Sequence, residues 1–292
     1  MAIHLLGFPT TLGLPRKAGK HAPEVLRAAG LLSGLEGLGH RVVDHGDMAL
    51  PEGRQADPPE VRIRRVAEAA RQQCEHWLKV DPAGDLMLTV GGDHSTSLGT
   101  IWALSEMGHD FDIVWVDAHG DFNVLETSPS GNPHGMVLAM ASGLCPAVVP
   151  KLISPRQLRL WGIRDLDPGE RRLLEREQVE VLDPDQVRHE ADRILQRLKP
   201  NLFLSFDMDA VDPAEAPGTM TPVPGGFHRG EALELVAAIA RHRRLLAVDL
   251  VEYHPDRDRA GLTAALALEV AQAAVAGRAA PAKGAYDAAA GA

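Results

Sequence analysis

Short, solidly apolar runs alternate along the chain with longer stretches in which apolar residues recur every three or four positions. The runs at residues 3–8, 41–43, 86–90, 111–116, 158–163, 179–182, 202–206 and 245–251 predict strands. Several show no polar alternation, as expected of strands covered on both faces. Residues 23–38, 59–80, 98–107, 168–178, 185–198, 230–242 and 257–276 predict helices. Pro23 suits a first helical turn, and the mixed charge of 59–80 reads as a solvated face. Such alternation calls for right-handed crossovers and a parallel sheet. The expected fold is therefore α/β: three layers, α/β/α, around a central, mostly parallel sheet of about eight strands. The interior shows neither a repeat nor a low-complexity linker, so residues 1–292 read as one domain. An Ala/Gly-rich tail at 279–292 is expected to fray.

Composition narrows the partners. Forty acidic residues against 30 basic give a formal charge of −10 over 292 residues. That balance argues against nucleic acid or an anionic membrane surface, both of which need a basic footprint. Aromatics are 4% of the chain, too few for a base-stacking platform. Two cysteines, Cys74 and Cys145, cannot form a disulfide framework and read as buried thiols in a reducing compartment. No stretch reaches the roughly 18 uncharged apolar residues of a membrane span. The first residues run into Pro9 without a basic region ahead of them, and read as a strand rather than a signal peptide. A cytoplasmic location is expected.

In open parallel sheets, ligands bind beyond the carboxyl ends of the strands. The chemically densest segments of this chain follow predicted strands: 91–95, 117–134 and 207–212, with Glu252 at a fourth strand end. Asp117, His119 and Asp121 stand at i, i+2 and i+4, so extended backbone would aim them to one side. Asp207 and Asp209 repeat the spacing. A lone acidic pair after a strand is commonly a turn. Two such clusters beside His94 at a third strand end are better explained by a cation, since adjacent carboxylates leaving water repel each other. His94, Asp117, His119, Asp121, Asp207 and Asp209 supply four carboxylates, two imidazoles and no thiol. Six ligating groups suit two ions with bridging carboxylates, and an oxygen-rich set with some imidazole favours Mn²⁺. Metal-assisted hydrolysis is the implied chemistry.

Gly91-Gly92-Asp93-His94-Ser95, Asp117-Ala118-His119-Gly120-Asp121 and the run from Ser205-Phe206-Asp207-Met208-Asp209 to Pro213 resemble the three metal-binding signatures of the ureohydrolase (arginase) family. Order and spacing match from about residue 86 to 255. The resemblance implies a dimanganese α/β hydrolase acting on guanidino compounds. It implies one Mn²⁺ on His94, Asp117, Asp121 and Asp207, and another on Asp117, His119, Asp207 and Asp209. The segment 123–134 resembles the true arginases, where positions matching Asn123, Ser128, Ser130 and Asn132 engage the amino-acid end of L-arginine. Neutral donors there can hold a carboxylate without competing for metals. By the same resemblance Asp167 faces the α-ammonium, although Asp165 and Glu170 could cap a helix starting at Pro168.

His134 matches the family's proton-shuttling histidine, and imidazole can protonate a departing amine near neutral pH. Glu252 matches its guanidinium-binding glutamate, a good bidentate pair. Thr221 matches a threonine near that group. The expected catalytic residues are thus His134, Asp121 and Glu252. The expected reaction is hydrolysis of L-arginine to L-ornithine and urea, and the family suggests a homo-oligomer, trimer or hexamer. Ala22 before Pro23, the basic stretch 14–20 and the bulky Tyr253-His254 depart from the family pattern. Other guanidino substrates (N-hydroxyarginine, agmatine or a shorter acid) stay open, as does a silent metal-binding homologue. A dinuclear phosphoesterase lacks the Arg/Lys clamp that a phosphoryl group wants.

Overall fold

The apolar runs become strands β1 (Ala2–Phe8), β2 (Arg41–Asp47), β3 (Leu86–Gly91), β4 (Asp112–Val116), β5 (Leu158–Trp161), β6 (Glu180–Leu182), β7 (Asn201–Asp207) and β8 (Arg244–Val251). The computed structural model describes residues 2–276 apart from 15–19, 52–53, 55, 83 and 146–147. The tail at 279–292 and most of the basic stretch 14–20 lie outside the described residues. All strand pairs are parallel, in one sheet of order β2-β1-β3-β8-β7-β4-β5-β6.

The helices are α1 (Ala22–Ala28), α2 (Leu31–Gly37), α3 (Pro59–Val80), α4 (Thr96–Glu106), α5 (Val137–Ala141), α6 (Pro168–Arg176), α7 (Pro184–Arg197), α8 (Arg229–His242) and α9 (Leu262–Ala276). The expected single helix 23–38 is two, because Gly30 adopts φ 100° between them, where a side chain would be strained. The last helix begins at Leu262 rather than 257, since residues 255–257 form a short 3₁₀ turn behind Pro255. Helix α5 is too short to leave a periodic signature.

Two apolar clusters lie on the two faces of the sheet. Leu204, Phe206 and Leu250 join α1, α2, α7, α8 and α9 on one face. Phe203, Trp115 and Ala247 join α3, α4, α5 and α6 on the other. The solid apolar runs therefore hide a period of two, with each face buried under its own helical layer. Each fully buried Leu or Phe contributes about 1.5–3 kcal/mol to this sandwich.

The strand order positions the site. Strands β3, β8, β7 and β4 are contiguous and central, although they lie far apart in sequence. Val90 pairs with Leu250, Leu250 with Phe206, and Phe206 with Val116. The residues just beyond these pairs emerge side by side at the carboxyl edge.

Candidate metal centre and cleft

His94, Asp117, Asp121 and Asp207 meet at that edge. His94 Nδ1 lies 3.0 Å from Asp117 Oδ2, 3.1 Å from Asp121 Oδ2 and 3.1 Å from Asp207 Oδ2. All four residues are buried. The nitrogen makes no well-aligned hydrogen bond to any of the three oxygens. One imidazole nitrogen with three carboxylate oxygens at nearly equal distance from it is a donor set whose chemistry fits a divalent cation. Beside them, His119 Nδ1 lies 3.4 Å from Asp117 Oδ1 and 3.3 Å from Asp209 Oδ2. Two possible ligand groups result, His94–Asp117–Asp121 and Asp117–His119–Asp209, with Asp117 common to both.

Neighbouring groups fix these side chains. His94 Nε2 bonds to Ser205 Oγ at 2.8 Å, which leaves Nδ1 to face the carboxylates. The His94 ring stacks on Trp115 with centroids 3.9 Å apart, and Trp115 Nε1 donates to Asp117 Oδ2 at 3.0 Å. Asp207 Oδ1 accepts from the backbone N–H of Asp209 at 2.8 Å, so its other oxygen turns to His94. Asp209 accepts from Ala118 N and from the Thr221 hydroxyl, at 3.2 and 3.0 Å.

Two loop residues here have left-handed backbone, Asp121 at φ 48° and Glu252 at φ 59°. Each costs about 1–3 kcal/mol unless its surroundings impose it. Leu138 N donates to Asp121 O at 3.0 Å, and Glu252 N donates to Gly92 O at 2.8 Å. Gly92 itself must be glycine, because a Cβ there would lie 2.0 Å from Thr10 O.

The electrostatics show charge awaiting compensation. Burial opposes a charged His94, yet the carboxylates of Asp117, Asp121 and Asp207 gathered around its Nδ1 hold its pKa well above the ordinary imidazole value. Burial, with the charges of Asp209 and Asp117, drives Asp207 well above the usual carboxylate range. Four carboxylates against two imidazoles leave net negative charge in a desolvated site.

A cleft of about 210 Å³ opens over this centre. His94, Asp117, His119, Asp121 and Asp207 line its inner end, and Asp209 sits just beneath. The remaining sequence-predicted residues also line it: Asn123, Ser128, Ser130, Asn132, His134, Asp167, Thr221 and Glu252. Glu252 Oε1 accepts from His94 N at 2.9 Å and lies 3.0 Å from His134 Nδ1. Burial opposes protonation of His134, but its bond to Glu252 and the charges of Glu252, Asp121 and Asp93 push it up to about 9. Asn123 Nδ2 donates to Asp167 Oδ2 at 3.1 Å.

Comparison with known proteins follows the same outline. The Arginase family model matches residues 1–277. The chain belongs to the arginase family. It is 34% identical to the hepatic arginase of Aquarana catesbeiana, over 88% of this chain and 85% of that protein. The solved arginase of Bacillus caldovelox superposes with a TM-score of 0.86 at 30% identity, covering 95% of this chain and 99% of that one. A hypothetical agmatinase from Burkholderia thailandensis gives a TM-score of 0.71 at 28% identity, covering 94% and 84%. This chain is thus an arginase-family amidinohydrolase with a possible His/Asp metal cluster.

Within this arginase-family frame, several contacts escape sequence reasoning. Asp93 is buried and accepts from the N–H groups of Gly13 and Leu14, at 2.8 and 3.0 Å, anchoring the segment that brings Leu14 to the cleft. Its place inside Gly92-Asp93-His94 is the only available signal. Glu170 is not a helix cap: it accepts from Phe122 N at 2.8 Å and lines the cleft. Burial pushes its carboxyl up to about 8. Asp167 is the N-cap residue of α6 but makes no capping bond with its side chain, so its carboxylate is left for the cleft. Tyr253 packs into the apolar core instead of crowding the cleft. Arg62, from the first turn of α3, reaches Asn132 behind the loop.

Proposed function

We propose that this chain hydrolyses L-arginine to L-ornithine and urea, using two manganese ions. His94, Asp117, Asp121 and Asp207 would hold one ion, and Asp117, His119, Asp207 and Asp209 the other. The carrying observation is the composition of the cleft: carboxylates and imidazoles at the buried inner end, Ser128, Ser130 and Asn132 at the more exposed outer end, and the buried Asn123 bonded to Asp167. A substrate with a cationic head and an amino-acid tail complements both ends. When bound, the ion pair would supply hydroxide near neutral pH by acidifying a water, and would draw charge from the addition product.

The chain's own residues do the rest. Glu252 orients the guanidinium, placing its carbon over the metal centre. Asp121 accepts the proton of the attacking oxygen through its carboxylate. His134, protonated near neutrality, delivers a proton to the departing amine nitrogen of L-ornithine. Asp167 faces the α-ammonium, and the loop donors face the α-carboxylate. Thr221 steadies Asp209. The cytoplasmic setting and the homo-oligomeric assembly suggested by the family belong to the same proposal.

Agmatine, the decarboxylated analogue, is the second reading, favoured by the likeness to the hypothetical agmatinase. The polar outer loop weighs against it. Urea and ornithine release from Mn²⁺-loaded protein tests the choice, with agmatine and N-hydroxyarginine alongside. L-Arginine is expected to give the highest kcat/KM. Failure to release urea from L-arginine at any pH would sink the assignment.

A further inference from the structure

Helix α3 carries its buried residues at 62, 63, 66, 67, 69, 70, 73, 74 and 77, the inward stripe of an amphipathic helix. Position 62 on that stripe is an arginine, only 6% exposed. Its NH1 donates to Asn132 Oδ1 at 2.6 Å, and its Nε has no hydrogen-bond partner among the described residues. Among the described residues no carboxylate pairs with it. A guanidinium can only donate, so the bond settles which way the Asn132 amide is turned. The oxygen faces Arg62, and the NH₂ group is free to face the cleft that Asn132 lines. Ser128 and Ser130 stand on the same loop, with Ser128 Oγ accepting from Gly131 N at 3.0 Å and Ser130 Oγ from Asn132 N at 3.2 Å.

We propose that Arg62 is a specificity-determining positioning residue that tunes the outer end of the cleft for a carboxylate. It acts twice. Through Asn132 it presents an N–H donor where an acceptor could otherwise turn inward. Through its buried charge it leaves one cation behind the loop without an anionic partner, a deficit that a substrate carboxylate makes good. A ligand lacking the carboxylate gains from neither.

The inference rests on the proposed amino-acid substrate, so its test uses binding as well as turnover. Calorimetric titrations of the Mn²⁺-loaded protein with L-ornithine and with putrescine, which lacks the carboxylate, compare wild type with Arg62→Met and Arg62→Lys. Wild type is expected to prefer L-ornithine. Arg62→Met should weaken L-ornithine about tenfold, the scale of one lost charge-assisted contact, and leave putrescine unchanged. Arg62→Lys should recover part of the loss. In turnover, Arg62→Met should raise KM for L-arginine with little change in kcat. Should Arg62→Met fail to fold, Asn132→Ala must show the same selective loss. Equal weakening of both ligands, or a variant indistinguishable from wild type, overturns the role of Arg62. Absence of urea release by wild type with the selective binding loss intact would instead overturn the reaction.

Discussion

The two ends of the cleft are built on opposite principles. At the inner end, acidic side chains issue from adjoining strand termini, buried and held by backbone N–H groups and Trp115, with Ser205 holding His94 among them. At the outer end, small neutral side chains hang on one loop, partly open to solvent, with a buried arginine behind them. The inner end concentrates one sign of charge and must be neutralised from outside. The outer end presents neutral donors backed by one buried cation, and on the proposed reading it discriminates by hydrogen-bond direction and by that charge. On the proposed reading this is a division of labour: the sheet edge would fix the chemistry, while the loop would select what is presented to it.

This contrast can be broken most forcefully at the inner end. Asp207→Ala removes a carboxylate proposed to serve both ions. Metal content should drop and urea release should fall on the order of 10³-fold, checked by elemental analysis and a urea assay. Full metal retention would deny Asp207 its bridging place. His134→Ala is expected to lower kcat about 10²- to 10⁴-fold with metal content intact, because it removes the proton donor and no ligand. Steady-state kinetics beside metal analysis separates it from Asp207→Ala.

Weaker perturbations sharpen the comparison. Trp115→Phe deletes the indole donor to Asp117 and should cost about 10- to 100-fold in metal affinity. Its KM for substrate, set at the other end, should move little once metal is saturating. Ser130→Ala should do the reverse, raising KM for L-arginine about two- to tenfold, the range of one net hydrogen bond, with metal affinity unchanged.

The last test lies beneath the inner end. Asp249 is fully buried on β8 and accepts from Thr100 Oγ1 at 3.1 Å. Burial pushes its carboxyl up to about 7, against hydrogen bonds from Ser97, Thr100 and Thr89 that lower it. With a raised folded value, the proton-linked stability is complete in acid and disappears as pH rises from about 4 towards 7. Asp249→Asn abolishes that loss. Its stability relative to wild type should therefore climb by about 1.4 kcal/mol per pH unit across the window, measured by denaturant unfolding of metal-free protein. A parallel pair of profiles would refute a neutral, buried Asp249.

Much of the candidate site is legible in the primary structure because its candidate ligands cluster in short spacings at strand ends. Asp117, His119 and Asp121 lie within five residues, and the loop from Asn123 to Asn132 follows directly. Arg62 is different. The charges of α3 read as a solvated face, yet position 62 falls on the inward stripe with Val66 and Trp77. Helical periodicity could have flagged it, but nothing local says that Asn132, 70 residues away, would be its partner. Trp115 gives no signal either, since an aromatic in an apolar strand is ordinarily core.

By itself the sequence determined the alternation of elements, hence a parallel sheet under two helical layers, and the kinds of ligand offered at each strand end. Those are local matters, set by periodicity and side-chain chemistry. Only the tertiary structure decided that β3, β8, β7 and β4 lie side by side, that Glu252 meets His134, and that Tyr253 turns into the core. The reason is physical. Which strands adjoin is settled by packing the whole sheet between its layers, a sum over distant contacts that no segment encodes alone.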